Sequence, residues 1–165
     1  MGPRQVSAAY GVLIDLDLTL VDSSRLKALR DAREWRRVQD SLNLSHLYPY
    51  GVEFLRSLHS AQLPYGIVTS SPRTYAEAMV RHHGLPIKVV TAYHDTRAHK
   101  PHPAPLLHGL AALGAATGIY VGDDKIDAQA ANAAGIAFAH VNHAEGEPLR
   151  TLAESIVEGA RSNAR

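Results

Sequence analysis

Residues 12–22 of the chain read VLIDLDLTLVD, and this stretch decides the fold. Its first three residues are apolar and two of them are β-branched, which is typical of a strand buried on both faces. The run ends in a carboxylate at Asp15, and a second carboxylate follows at Asp17. Because side chains alternate along an extended chain, Asp15 and Asp17 are predicted to lie on the same side.

Two neighbouring carboxylates at the end of an apolar strand repel each other and are costly to leave unpaired. A cation is therefore predicted beside Asp15 and Asp17. Mg²⁺ suits this position, because it prefers oxygen ligands and a phosphate can complete its coordination shell. The alternative is a simple turn in which Asp17 caps the next segment. Further carboxylates later in the chain favour the cation.

The composition is that of a globular protein. Of its 165 residues, 45% are hydrophobic and 20% are charged, which is enough for one core but short for two domains. The net charge of +1 predicts no general preference for nucleic acid or anionic lipid. The absence of cysteine excludes disulfides, thiolate nucleophiles and thiolate zinc sites. No secretory signal or membrane span is predicted, so we expect a cytoplasmic protein without a membrane partner.

Strand-like and helix-like segments alternate along the chain. After the first strand, apolar runs predict strands at 65–69, 87–92, 118–122 and 137–141. Between them, periodic apolar residues predict helices, among them one at 25–42 with Ser23 and Ser24 as its N-cap, and others at 74–83 and 149–160. This alternation predicts an α/β fold with a parallel sheet covered by helices on both faces.

Chemically active residues follow the ends of the predicted strands. A hydroxyl cluster at 69–71 precedes Pro72, where a helix N-terminus would favour an anion, although such serines also cap helices without binding anything. Ligands of parallel sheets bind at the carboxyl ends of the strands. We therefore expect one crevice to contain Asp15, Asp17, Thr69, Lys100, Asp123 and Asp127.

Four motifs occur in a fixed order along the chain. They are DLDLT at 15–19, VTSS at 68–71, KPHPAP at 100–105 and GDDKID at 122–127. With these motifs the chain resembles the phosphatases of the haloacid dehalogenase-like superfamily, over roughly residues 12–141. The resemblance implies a Rossmann-like three-layer sandwich with a central parallel five-stranded sheet. It also implies one domain at 1–165 with a minimal helical cap, a short arm at about 23–48.

The resemblance also implies a role for each motif residue. Asp15 would be the nucleophile that forms an aspartyl-phosphate, and Asp17 the general acid and base. An acid at position 17 favours phosphoester hydrolysis over dehalogenation, because a halide leaves without a proton. Mg²⁺ would be held by Asp15, the Asp17 main-chain carbonyl and Asp123, with Asp127 or Asp124 supporting it. The phosphate would be bound by Thr69, Ser70 and Lys100.

The predicted function is Mg²⁺-dependent phosphomonoester hydrolysis. Because the arm is so short, the crevice is expected to be open. An open crevice suits a bulky substrate, such as a nucleic-acid end. Alternatively, another subunit of a homo-oligomer would close it. The basic residues Arg30, Arg33 and Arg37 of the arm would contact such a substrate, although a solvated surface with local ion pairs is the favoured explanation of the basic residues in this segment. Two alternatives stay open: a phosphate-binding or scaffold protein with little turnover, and a phosphomutase.

Overall fold

Strands and helices alternate throughout residues 9–163, the part of the chain that this computed structural model describes. The strands are β1 (Ala9–Ile14), β2 (Val21–Asp22), β3 (His46–Leu47), β4 (Tyr65–Val68), β5 (Val90–Thr91), β6 (Ala115–Gly122) and β7 (Ala137–His140). The helices are α1 (Lys27–Asp31), α2 (Trp35–Asp40), α3 (Gly51–Ser60), α4 (Arg73–His82), α5 (Ala104–Ala112), α6 (Lys125–Ala134) and α7 (Pro148–Asn163).

A parallel sheet of five strands forms the centre of the molecule, in the order β5-β4-β1-β6-β7. The strand β1 lies in the middle and pairs with β4 on one side and β6 on the other. This arrangement confirms the predicted parallel five-stranded sheet. It also brings the carboxyl ends of β1, β4 and β6 next to one another, because all three strands run in the same direction.

Helices cover both faces of the sheet. Alternation along β1 sends Val12 and Ile14 into a core with side chains of α3, α4 and α7. Leu13 points the other way, into a second core formed with α5 and α6. Val12, Leu13 and Ile14 are all fully buried, and each such side chain stabilises the fold by roughly 1.5–3 kcal/mol. The three-layer sandwich is therefore confirmed.

Residues 21–48 form an arm that we call the flap. It begins and ends in an antiparallel pair, in which Val21 lies opposite Leu47 of β3. The single helix predicted at 25–42 is wrong, since the flap contains the two short helices α1 and α2. The chain turns between them at Arg33, whose φ of 56° lies in the left-handed region. Packing of Trp35 against Tyr75 of α4 then sets the direction of α2.

Three further sequence-based expectations concern membrane spans, the start of the chain and the edge of the sheet. No helix within residues 9–163 has both the length and the apolar character that crossing a membrane requires. The expectation that the chain starts without a secretory signal concerns residues 1–8, which lie outside the described residues. The strand predicted at 87–92 is reduced to Val90–Thr91, because β5 is an edge strand that pairs only with β4 over this short register.

Candidate active site

The carboxyl ends of three neighbouring strands supply the first residues of the site. Asp15, Thr69 and Asp123 directly follow β1, β4 and β6. The Asp15 amide donates a hydrogen bond to the Val121 carbonyl at 2.8 Å, and the Thr69 amide donates one to Thr91 at 2.9 Å. Sheet-like hydrogen bonding thus continues to Asp15 and Thr69 and fixes the position of their backbone.

Three carboxylates converge at this edge of the sheet. Asp15, Asp123 and Asp127 each offer one oxygen, and these oxygens all lie within 4.8 Å of one another. Because Mg²⁺ binds oxygen at 2.0–2.1 Å, oxygens about 3–4 Å apart can share one ion. Thr19 donates a hydrogen bond to Asp123 at 3.2 Å and so orients that carboxylate. The sequence-based grouping of these three residues therefore matches a possible cation site.

Lys100 joins two of these carboxylates. Its Nζ lies 3.3 Å from Asp15 Oδ1 and 2.7 Å from Asp127 Oδ1, and its side chain is only 4% exposed. It also donates a hydrogen bond to the Tyr120 hydroxyl at 2.8 Å. A loop residue far away in sequence thus places a buried ammonium beside Asp15.

The two candidates for metal support, Asp124 and Asp127, have different surroundings. Asp127 is buried and accepts a hydrogen bond from the Asp124 amide at 3.2 Å. The Asp124 side chain is exposed and caps α6, where it accepts a hydrogen bond from the Ile126 amide at 3.0 Å. Asp127 therefore belongs to the carboxylate cluster, whereas Asp124 supports it through its backbone.

The cluster has a surplus of negative charge. Burial raises the pKa of Asp15 well above its ordinary value, and the neighbouring Asp127 adds to this increase while Lys100 opposes it. Burial and Asp127 likewise raise the pKa of Asp123. Burial alone would lower the pKa of Lys100, but Asp15 and Asp127 outweigh it, so the pKa is raised. The Lys100 ammonium thus contacts two of the three carboxylates, and a bound cation would relieve the remaining repulsion.

The Asp17 carboxylate points to a different set of partners. It forms an ion pair with Arg30 Nη1 at 2.9 Å. Ser23 was predicted to cap a helix, but this is wrong: it makes no side-chain capping bond, and its hydroxyl donates to Asp17 instead, at 2.6 Å. Two hydroxyls from the other side of the crevice, those of Ser71 and Tyr75, also donate to Asp17.

The predicted phosphate-binding and basic residues divide between the crevice and the surface. Thr69 is buried and its hydroxyl accepts a hydrogen bond from the Ser71 amide at 3.1 Å, whereas Ser70 is exposed. Arg30 is brought to the crevice by its contact with Asp17. Arg33 and Arg37 are exposed, and Arg37 pairs with its neighbour Glu34. The expectation that the arm contacts substrate stays a prediction.

The sequence model of haloacid dehalogenase-like hydrolases matches residues 27–141 of this chain. The match covers more than half of the chain and includes Thr69, Lys100, Asp123 and Asp127, while Asp15 lies before it. The chain belongs to the haloacid dehalogenase-like hydrolase family. The fold and the convergence of its carboxylates agree with this family membership.

Individual relatives of this haloacid dehalogenase-like hydrolase are named as phosphatases. The chain is 30% identical to the N-acetylmuramic acid 6-phosphate phosphatase of Pseudomonas aeruginosa, over 94% of this chain and 70% of that protein. It is 34% identical to the phosphoglycolate phosphatase of Escherichia coli, over 54% of this chain and 37% of that protein. The chain thus spans little more than a third of the latter's length. A solved structure of a hydrolase from Pseudomonas syringae, 18% identical, covers 88% of this chain and 97% of its own, with a TM-score of 0.73.

Sequence reasoning missed the buried hydroxyl of Tyr120 in this hydrolase. Tyr120, on β6, accepts a hydrogen bond from Lys100 and donates to the Val68 carbonyl at 3.0 Å. It therefore links the loop ammonium to the end of β4. In the sequence Tyr120 is part of an apolar run, and its only signal is that a buried tyrosine needs a partner for its hydroxyl.

A cavity of about 360 Å³ adjoins Asp123. It is lined in part by Tyr48, His140, Asn142 and His143. The rings of Tyr48 and His143 are stacked 3.4 Å apart, and His143 Nε2 lies 2.9 Å from the Thr19 carbonyl oxygen. Polar and aromatic groups from the end of the flap and from the loop after β7 thus surround a space beside the carboxylate cluster.

Substitution of Gly122 by Ala is expected to destabilise this hydrolase by about 1–3 kcal/mol. A Cβ atom at Gly122 would lie 2.5 Å from Asp127 Oδ2 and 2.8 Å from Asp127 Cβ, so Asp127 would have to move. The free energy of unfolding in urea measures the effect. Gly159→Ala is the matched control, because no described atom lies within 4 Å of a Cβ there. Equal stabilities of the two variants would contradict tight packing of Asp127 on Gly122.

Proposed function

We propose that the protein is a phosphomonoester hydrolase that requires Mg²⁺ and acts through an aspartyl-phosphate. The convergence of Asp15, Asp123 and Asp127, with the buried ammonium of Lys100 in contact with Asp15 and Asp127, carries this proposal. A carboxylate that attacks a phosphate faces electrostatic repulsion, so the site must supply positive charge. Lys100 supplies part of it, and the surplus of carboxylates is suited to a divalent cation.

The donor set suits Mg²⁺, because it consists of carboxylate oxygens that all lie within 4.8 Å of one another, and small side-chain adjustments bring such oxygens to the separation of about 3–4 Å at which they share one ion. Asp15, Asp123 and Asp127 are the residues that would hold it. When bound, Mg²⁺ would neutralise negative charge on the phosphoryl oxygens and so favour attack by an anion.

The residues of the chain divide the reaction into two steps. An oxygen of Asp15 attacks the phosphorus, the bond between phosphorus and the leaving oxygen breaks, and Asp17 donates a proton to that oxygen. Water then attacks the phosphorus of the aspartyl-phosphate, Asp17 takes a proton from this water, and the bond from phosphorus to Asp15 breaks. Lys100, which contacts Asp15, restrains the nucleophile, and Thr69, which directly follows the neighbouring strand β4, binds a phosphoryl oxygen.

The cavity beside Asp123 favours a substrate with a small organic leaving group. Its volume of about 360 Å³ and its lining of aromatic, imidazole and amide groups suit a polar metabolite. The names of the relatives, an N-acetylmuramic acid 6-phosphate phosphatase and a phosphoglycolate phosphatase, agree with this class. The Asp15 side chain is only 11% exposed. A bulky substrate or completion of the site by another subunit stays a prediction from the length of the arm.

The direct test is hydrolysis of p-nitrophenyl phosphate, sugar phosphates, phosphoglycolate and 3′- or 5′-phosphorylated oligonucleotides. We expect turnover with Mg²⁺ that stops when EDTA is added, and faster turnover of small metabolites than of oligonucleotides. Phosphate binding without turnover of any member of this panel would contradict the proposal and would favour a phosphate-binding protein.

Mg²⁺ is expected to raise the Tm by roughly 5 °C at pH 7.5, and by much less at pH 5. Because the pKa values of Asp15 and Asp123 are raised, bound protons stabilise the metal-free fold at low pH. That contribution is lost as the pH rises from the ordinary Asp value of about 3.9 through the raised values. Mg²⁺ replaces these protons, so its stabilising effect grows with pH.

Thermal unfolding with Mg²⁺ or with EDTA, at both pH values, measures this difference. Asp123→Asn removes one carboxylate of the cluster and should lose most of the Mg²⁺-dependent shift. Asp31→Asn alters an exposed carboxylate of α1 and should keep the shift. A shift that is the same at both pH values, or that survives in Asp123→Asn, would place the Mg²⁺ site elsewhere.

A further inference from the structure

We propose that Tyr75 is a positioning residue, which holds the Asp17 carboxylate in the orientation needed for proton transfer to the leaving oxygen. This inference rests on the proposed function, because it concerns the step in which Asp17 protonates that oxygen. Tyr75 lies on α4 and outside the four motifs. Its role is visible only from its contacts.

Both oxygens of the Asp17 carboxylate have hydrogen-bond donors. Oδ1 accepts from the Tyr75 hydroxyl at 2.5 Å and from the Ser23 hydroxyl at 2.6 Å. Oδ2 accepts from the Ser71 hydroxyl at 3.1 Å and contacts Arg30 at 2.9 Å. These four donors occupy all of the roughly four lone-pair positions of a carboxylate, so one of them must leave before Asp17 can carry a proton. We take Arg30 to leave Oδ2, while Tyr75 and Ser23 stay on Oδ1 and fix the plane of the carboxyl group. General acid catalysis depends on such alignment, because the proton must reach one particular oxygen.

Tyr75 is a fully buried donor that belongs to the hydrophobic core. Its ring packs against Trp35 of the flap with a centroid separation of 5.7 Å. Burial and the charge of Asp17 both raise the pKa of Tyr75, so its hydroxyl remains a donor. Arg30 and Ser23 belong instead to the flap, whereas Tyr75 lies on α4, which packs on the central sheet. Tyr75 and Ser71 are thus the donors that the main body of the protein supplies.

The effect of Tyr75 should depend on the leaving group. An alkoxide is a poor leaving group and needs a proton from Asp17, whereas p-nitrophenolate is a stable anion that departs without one. The ratio kcat/KM covers the steps up to departure of the alcohol, which is the stage at which Asp17 acts as an acid. Misalignment of Asp17 should therefore lower kcat/KM for alkyl phosphates much more than for p-nitrophenyl phosphate.

The experiment compares Tyr75→Phe with Tyr65→Phe. Tyr65 also has a bonded hydroxyl, which donates to Pro86 at 2.8 Å, but it begins β4 at the opposite end of the sheet. For Tyr75→Phe we expect kcat/KM to fall about 10- to 100-fold on an alkyl phosphate that the wild type hydrolyses, and less than about 3-fold on p-nitrophenyl phosphate. Tyr65→Phe should change neither value by more than about 2-fold.

Each other outcome has a definite meaning. Equal losses on both substrates, or no loss on either, would overturn the positioning role of Tyr75. Thermal unfolding checks that the variants are folded, since Tyr75→Phe removes one buried hydrogen bond. If it does not fold, Ser71→Ala applies the same test from the other oxygen of Asp17, with a selective loss on the alkyl phosphate again expected. A wild type that hydrolyses neither substrate would contradict the proposed function itself, which is a different result from an active Tyr75→Phe with unchanged selectivity.

Discussion

Asp15→Asn is expected to abolish turnover of phosphomonoesters, with kcat lower by at least about 10⁴-fold. An amide is a far weaker nucleophile than a carboxylate, and it also removes one of the three acidic side chains of the cluster. The shape of the side chain is almost unchanged. Loss of activity would therefore reflect chemistry and charge instead of packing.

Two measurements together test the role of Asp15. Steady-state hydrolysis of p-nitrophenyl phosphate with Mg²⁺ gives kcat, and mass spectrometry of acid-quenched wild type with substrate should detect a phosphoryl group on Asp15. Asp31→Asn is the matched control, because Asp31 is exposed and pairs with Lys27 on the surface of α1. Activity of Asp15→Asn within tenfold of the wild type would contradict nucleophilic catalysis by this residue.

Lys100→Met is expected to lower the free energy of unfolding by about 3–5 kcal/mol and kcat/KM by about 10²- to 10³-fold. The ammonium is almost fully buried and contacts Asp15 and Asp127. Its removal leaves two buried carboxylates without their cation. Methionine keeps most of the volume, so the loss would be electrostatic.

Urea denaturation and hydrolysis assays measure the two effects of Lys100→Met separately. Lys27→Met is the matched control, because Lys27 pairs with Asp31 on the surface with both side chains 62% exposed. Such an exposed pair is worth less than about 1 kcal/mol. Similar losses in the two variants would show that the buried ammonium has no special role. With Mg²⁺ present, the stability loss in Lys100→Met should become smaller, since the ion replaces part of the missing positive charge.

The centre of the site could be predicted from sequence because it depends on strand direction alone. Apolar runs located the strands, and the carboxyl ends of parallel strands meet at one edge. Asp15 and Asp123, 108 positions apart in sequence, were therefore expected to be neighbours, and their oxygens do lie within 4.8 Å of each other. No side-chain detail was needed for that step.

The surroundings of Asp17 could not be predicted in the same way. Ser23 was interpreted as a helix cap, since a serine before a basic periodic segment usually has that role. Tyr75 lies in an amphipathic helix, and its pattern indicates only a core side chain. Which carboxylate a buried hydroxyl reaches depends on tertiary packing, here the contact between Tyr75 and Trp35. The turn at Arg33 was missed for a related reason, because packing of the flap overrides a continuous helical period.

The paired strands at the base of the flap have a consequence for how members of this family can diverge. Val21 lies opposite Leu47 and Asp22 opposite His46, so the two ends of the flap are already adjacent. A segment of almost any length can be joined at this junction without disturbing the register of the sheet. Grafting a larger insert between β2 and β3 would leave Asp15, Lys100 and the carboxylate cluster in place while changing which molecules can reach them.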